Sequence, residues 1–344
     1  MKKRYLYMDI LNIFAMISVV AMHVNGIVHT YSPARCWRTS LVIDGICNFA
    51  VPVLLMLSGA NLLNYRKKYD TKTFFKKRFN RVLIPTIIWL AIMSIWKICI
   101  IKVIDVKGIG ISGFIDLLFN NKIEVTYYYL FAILGVYLTM PILSTIVNEK
   151  NKKILWYLVF TYLIFNTLIP NILVLFNINW NGDFRLMIGG YVVYAVLGYL
   201  LSIEKISKKK RIIIYVLGML AIIYRYVTTY IWSTEANTIV KTTWGYFQFI
   251  AYAQAAAVFL FVKNMNLKKI ESNKKLTNMI AKVSSCSFGI YLLHLIVKYY
   301  EIQLFNIDVR CWEWRILGVI TTYLISLIIV LIIKKIPILK RIVG

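Results

Sequence analysis

Long runs of Ile, Leu, Val, Phe and Tyr alternate along the chain with short stretches rich in Lys, Arg and Asn, at a spacing suited to membrane crossings. Ten apolar segments stand out, at 7–28, 41–63, 82–101, 128–147, 154–176, 187–203, 212–232, 244–262, 283–303 and 315–333. About 20 residues at 1.5 Å rise cross a hydrocarbon core of about 30 Å. Each segment is read as a helix, because backbone in lipid must satisfy its N–H and C=O groups within the segment. The apolar runs are continuous rather than alternating, which excludes a transmembrane β-barrel.

Composition agrees. Hydrophobic residues make up 60% of the 344 and charged residues 16%, against about 25% charged in a soluble domain. Mean hydropathy is +0.70, more apolar surface than a water-soluble core can hide. Only 16 Gly and 6 Pro are present, so a disordered or fibrous chain is excluded as well. The expected fold is an all-α polytopic transmembrane helix bundle of about ten spans. It forms a single integral-membrane domain over 1–344, with no cleaved signal peptide and no appended soluble domain.

Net charge is +27, which in a soluble protein would suggest nucleic acid. Here topology absorbs it. With the N-terminus inside, the inner segments 1–6, 64–81, 148–153, 204–211, 263–282 and 334–344 hold 29 of the 41 basic residues. Counting Asp9 with them, they hold five acids: Asp9, Asp70, Glu149, Glu204 and Glu271. That is the positive-inside pattern, and an even number of spans returns the C-terminus to the cytoplasm. The basic excess then faces anionic membrane lipids, and no nucleic-acid partner is expected.

Candidate chemistry lies at polar residues inside apolar runs, which are costly in a membrane. His23 ends a polar stripe on the first span that includes Asn12, three turns earlier, and Asp9 near the cytoplasmic end. The bland reading of His23 is a hydrogen bond within the bundle. Arg78 and Arg81 stand three apart at the start of the third span, where a guanidinium pair can grip phosphate. Such a cluster is equally an ordinary juxtamembrane basic patch. In the second span, Pro52 frees a carbonyl, and Ser58–Gly59 permits close helix packing or a small groove.

His294 and Lys298, four apart, share a face of the ninth span, and Arg225 lies in the outer part of the seventh. Lys298 and Arg225 are long enough to snorkel outward, or to line a polar outer cavity. Asp44, near the outer start of the second span, is either a partner for an imidazole or an interfacial charge. His29 has no partner pattern and reads as surface. The string Gly108-Ile109-Gly110-Ile111-Ser112-Gly113 matches GxGxxG without a βαβ context, so it is rejected as a dinucleotide site. The five cysteines show no CxxC pair and no zinc spacing, so no metal is expected. Cys36 and Cys311 both fall in outer segments, each in an Arg-Cys-Trp string, and read either as a disulfide pair or as unrelated interfacial thiols.

Taken in order, several stretches resemble acyltransferase family 3, the bacterial inner-membrane acyltransferases, and its stand-alone subgroup in particular. They are Tyr7-Met8-Asp9-Ile10 leading to His23, the Val51-Pro52 and Ser58-Gly59 of the second span, and Phe74-Phe75 with Arg78, Arg81 and Pro85. Tyr137-Leu138 with Pro141, Gly190-Tyr191 with Tyr194 and Leu197-Gly198-Tyr199, and Ser287-Phe288-Gly289-Ile290-Tyr291 with His294 complete the series. The resemblance implies transfer of an acyl group, usually acetyl, from cytoplasmic acyl-CoA to a hydroxyl of a cell-surface glycan or its lipid-linked precursor. The co-substrate is acetyl-CoA, and no cofactor is permanently bound. It implies His23 as the catalytic histidine, Asp9, the acid the subgroup carries at this position, as a second catalytic residue, and Arg78 and Arg81 as contacts for coenzyme A. Asn12 and Ser58 would lie on the donor's path, and His294, Lys298, Arg225 and Asp44 toward the acceptor. Where the family often carries Arg or Lys eleven residues before the histidine, this chain has Asn12. The rival class is a membrane transporter or flippase, since intramembrane His, Lys and Arg also line substrate paths.

Overall fold

The computed structural model describes residues 5–104, 110–148, 150–176 and 178–344. Gly108 and Ile109 of the glycine string, Glu149, and the basic residues before Tyr5 lie outside the described residues. The first helix, α1 (Leu6–Val24), carries Asp9 in its first turn, where an acid is favoured by the helix dipole. The second expected span is two helices, α2 (Arg35–Cys47) and α3 (Ala50–Leu62). Pro52 has no N–H to give the carbonyl of Asn48, and the helix breaks there. In α4 (Thr71–Arg78) the Asp70 side chain caps the start by accepting from Thr73 N at 3.3 Å, and hydrogen bonds from Thr73, its side chain first and its backbone second, hold the carboxyl below the usual range.

From α4 a π-helical stretch, Phe79–Leu83, leads into α5 (Ile84–Ile95), and a second one, Trp96–Ile100, follows it. Pro85 at the start of α5 leaves the Arg81 carbonyl without its usual helical donor, which favours the wider turn. A short apolar helix, α6 (Gly110–Phe119), occupies part of what reads in the sequence as a loop. Next come α7 (Tyr128–Ile146), α8 (Lys152–Tyr162) and α9 (Ile169–Leu175), the last two joined by a π-helical stretch that ends before Pro170.

The remaining helices are α10 (Tyr191–Ile203), α11 (Lys208–Ala236), α12 (Phe249–Lys263), α13 (Lys268–Glu271), α14 (Lys274–Leu304) and α15 (Trp312–Lys335). No strand occurs among the described residues. Eight helical stretches are long and apolar enough to cross a membrane, so the chain is a polytopic helical bundle. The sixth and eighth expected spans differ: α10 and α12 have only 13 and 15 residues. Each begins later than its hydrophobicity suggests, because the preceding apolar residues run as irregular backbone.

The core is built around α3 and α10, whose backbones touch. A Cβ at Gly59 would lie 1.8 Å from the Ala195 carbonyl oxygen, and one at Gly198 would lie 2.1 Å from that of Met56. Only glycine fits at either place. Along one side α1 packs against α3, α14 and α15. Asn12 fastens α1 to α14 near one end, donating to Ser284 O at 2.8 Å and Ser284 Oγ at 3.1 Å.

Candidate active site

At the other end of the α1–α14 seam, His23 and His294 meet. His23 Nδ1 lies 2.6 Å from His294 Nε2. The rings are 15° from coplanar with centroids 4.9 Å apart, as for two imidazoles joined nitrogen to nitrogen in nearly one plane. Between the two fastenings Ala15, Met16 and Val19 are buried. The polar stripe of α1 is thus a packed seam here, not an open groove. Lys298, one helical turn beyond His294, donates to the His23 carbonyl at 3.1 Å, a cation on the negative end of the α1 dipole.

His23 forms part of the wall of a cavity of about 270 Å³. Tyr128, Trp244, Tyr246, Tyr291, His29, Asn48, Asp44 and Arg225 share that wall. Asp44 and Arg225 are both buried and pair at 2.6 Å. Arg225 also donates to Trp244 O at 3.2 Å and lies over the Trp244 ring, with Cζ 5.0 Å from its centroid. Neither Arg225 nor Lys298 reaches outward, because each has found carbonyl or carboxylate partners inside. A second ion pair, Lys97–Glu124 at 2.8 Å, stands near the cavity rim. Burial works to raise the Glu124 carboxyl, but the Lys97 ammonium outweighs it and holds the group below its usual range.

His29 is exposed overall, yet its ring faces the cavity 5.4 Å from Trp244. Burial of that ring and the nearby Lys241 push its imidazole below its ordinary value. The surface reading of His29 is therefore incomplete. Tyr291 holds the floor by donating to the Thr126 carbonyl, and Tyr127 donates to Leu292 O at 2.6 Å.

The opposite, basic end of the bundle has a basin of about 390 Å³ lined by Asn80, Arg81, Lys334, Lys340, Arg341 and Gly344. No acidic side chain is among them. Arg78 is not among them either: its guanidinium lies over the Tyr137 ring, Cζ 5.7 Å from the centroid. The π-helical stretch after α4 has more residues per turn than an α-helix, so a three-residue spacing does not align Arg78 with Arg81. The structure instead gathers Arg81 with basic residues more than 250 positions away. Nothing in the sequence signals that gathering beyond the positive charge of both segments.

Asp9 is buried at the basic end, about 21 Å along α1 from His23, so the structure does not bring the two together. Ser58 is half-buried on α3 and borders neither space. Cys36 and Cys311 are both free thiols. Their segments are joined through Arg315, which donates to the Cys36 carbonyl at 2.9 Å and to Thr39 Oγ1. Cys311 Sγ caps α15 by accepting from Trp314 N at 3.4 Å.

A bundle with an imidazole pair on a polar cavity at one end and a cationic basin at the other suits group transfer across a membrane. The model of the acyltransferase domain matches residues 5–333, nearly the whole chain, and the chain belongs to acyltransferase family 3. It is a multi-pass membrane acyltransferase. No curated protein and no solved structure is similar enough to match.

Proposed function

We propose that this acyltransferase moves an acyl group, acetyl in the first instance, from cytoplasmic acyl-CoA to a hydroxyl of a cell-surface glycan or its lipid-linked precursor. It would act in the bacterial inner membrane, with both termini on the cytoplasmic side. The observation that carries the reading is the placement of His23 on an aromatic, polar cavity at the end of the bundle opposite the basic basin. The basin suits the phosphates of coenzyme A, through Arg81, Lys334, Lys340 and Arg341. Lys334 donates to Ser285 O at 2.6 Å, and Ser285 lies nine residues before His294 on α14. The basin edge is therefore only about 14 Å along the helix from the imidazole pair. Trp244, Tyr128 and Tyr246 offer flat faces, and Asn48 and the Asp44–Arg225 pair offer hydrogen bonds, the mixture that suits a sugar ring.

A sugar hydroxyl is too weak an acid to attack a thioester unaided. His23 takes its proton as the oxygen bonds to the acyl carbon, and a positioned base contributes about 10²–10⁴-fold. The carbon–sulfur bond then breaks, and the departing thiolate receives that proton, giving free CoA and an ester. The test is incubation of purified protein, in lipid, with radiolabelled acetyl-CoA and a membrane glycan fraction. Label appearing in the glycan with release of free thiol supports the proposal. Release of neither, with measurable passage of a saccharide across sealed vesicles, would favour a transporter.

A further inference from the structure

The hydrogen-bond pattern around His294 determines which nitrogen of His23 is available. His294 Nδ1 lies 2.7 Å from the Tyr291 carbonyl and 3.1 Å from that of Ile290. A carbonyl oxygen can only accept, so His294 Nδ1 carries a hydrogen. In the neutral ring its Nε2 is then a bare acceptor, and the atom facing it at 2.6 Å is His23 Nδ1. His23 Nδ1 must donate, which leaves the lone pair of a neutral His23 on Nε2. The His23 ring borders the cavity, and Nδ1 is its only atom with a hydrogen-bond partner among the described residues.

We propose that His294 is the positioning residue that locks His23 in its Nδ1–H form, so that Nε2 is the atom that takes the proton of the acceptor hydroxyl. This rests on the acyl-transfer reading for what the proton is used for, but the lock itself is a property of the resting protein. Two carbonyls on α14 fix the first ring, and the first ring fixes the second. When His23 Nε2 gains the hydroxyl proton, Nδ1 keeps its hydrogen and still donates to His294, so the pair need not rearrange. Lys298 holds the backbone of the same residue, which limits rotation of α1 at His23. The other charged groups around the pair already have partners: Asp44 is held by Arg225 and Glu124 by Lys97. Neither carboxylate is in position to orient the imidazole, as one does in a Ser-His-Asp triad. In this chain a second histidine takes that part.

The experiment uses full-length protein with ¹⁵N-labelled histidine in lipid nanodiscs. Only three histidines exist, and His29→Gln and His294→Gln assign the signals. Near neutral pH, His23 is expected to show a protonated Nδ1 and a bare Nε2. His294→Phe keeps the ring shape and removes the acceptor. It should release His23 to the Nε2–H form that a free imidazole side chain prefers, and lower kcat roughly 10–100-fold, as when the partner orienting a functional histidine is removed. The KM for acetyl-CoA should not move. In His294→Gln the amide oxygen can stand where Nε2 stood, so most of the rate and the Nδ1–H signal should return. A wild-type His23 protonated on Nε2 would overturn the lock. So would a folded His294→Phe protein with wild-type kcat, or a Gln variant no better than Phe. If the wild type transfers no acyl group while the ¹⁵N signals are as expected, the functional reading fails and the tautomer assignment stands.

Discussion

The two ends of the bundle treat charge in opposite ways. Around the His23 cavity the buried charges are cancelled nearby: Asp44 against Arg225, Lys97 against Glu124, Lys298 against a helix-end carbonyl. In the basin four basic side chains converge with no acidic side chain among the lining residues. Buried charges need partners fixed in the fold, and the first arrangement supplies them. Exposed cations such as Lys340 and Arg341 attract an anion that comes and goes, and the second arrangement suits that. One end is built to keep its geometry; the other, on the proposed reading, would exchange a phosphate-bearing ligand.

This contrast can be broken experimentally. The largest effect is expected at the imidazole. His23→Ala should lower acyl transfer by about 10²–10⁴-fold, measured in membranes at matched protein levels, while the melting temperature in detergent barely changes. Activity within a few-fold of wild type would remove His23 from the chemistry.

Next comes the buried pair. Asp44→Ala strands Arg225, and losing one member of such a pair costs about 3–5 kcal/mol. The expected readout is a sharp loss of folded protein on heating, followed by size-exclusion chromatography. Replacing both, as Asp44→Leu with Arg225→Met, should recover most of that loss. If Asp44→Ala melts like wild type, the self-compensating picture of this end is wrong.

The basin should behave in the opposite sense. Reversing Lys340 and Arg341 to Glu is expected to leave the melting temperature nearly unchanged and to raise the KM for acetyl-CoA several-fold, an effect that shrinks in high salt as screening grows. Arg81→Lys keeps charge and loses the planar fork, so it should weaken acetyl-CoA more than Arg78→Lys does. Equal effects would return Arg78 to the donor site.

The smallest effects concern the fastenings. Asn12→Ala removes bonds to Ser284, and an interhelical hydrogen bond in a membrane is worth about 0.6 kcal/mol on average. A shift of a degree or two in melting is the expected outcome. Glu124, whose carboxyl is held low, contributes stability above the ordinary carboxylate range and loses it as pH falls through its folded value. Acid melting curves of wild type and Glu124→Gln should converge at low pH. Curves that stay parallel would show the pair is not coupled to folding.

Much of the fold was legible because lipid imposes a simple rule: long apolar runs must be helices. The rule does not say where a helix starts within an apolar stretch. Residues 244–248 are Trp-Gly-Tyr-Phe-Gln, as suitable for a cavity wall as for a span, and tertiary bonds from Arg225 and Tyr194 decide in favour of the wall. His23 and His294 could each be singled out as polar residues in apolar helices. That they touch depends on the rotation of α1 against α14 across 271 positions, which no local pattern encodes. The Arg78–Arg81 spacing misled for a local reason, since it presumes 3.6 residues per turn where the backbone is wider.

The short helices carry a consequence for the membrane itself. With 13 and 15 residues, α10 and α12 rise only about 20 and 22 Å, against a hydrocarbon core of about 30 Å. Irregular backbone at membrane depth is tolerated where protein buries it or water reaches it, and the stretch before α12 lines the His23 cavity. With the termini on the cytoplasmic side, as proposed, that stretch would carry the His23 cavity below the outer membrane surface. A hydroxyl acceptor would then be met below the level of the lipid headgroups. An acceptor anchored in the same leaflet by a lipid tail is already held at that depth, whereas a free soluble sugar would have to leave bulk water to arrive there.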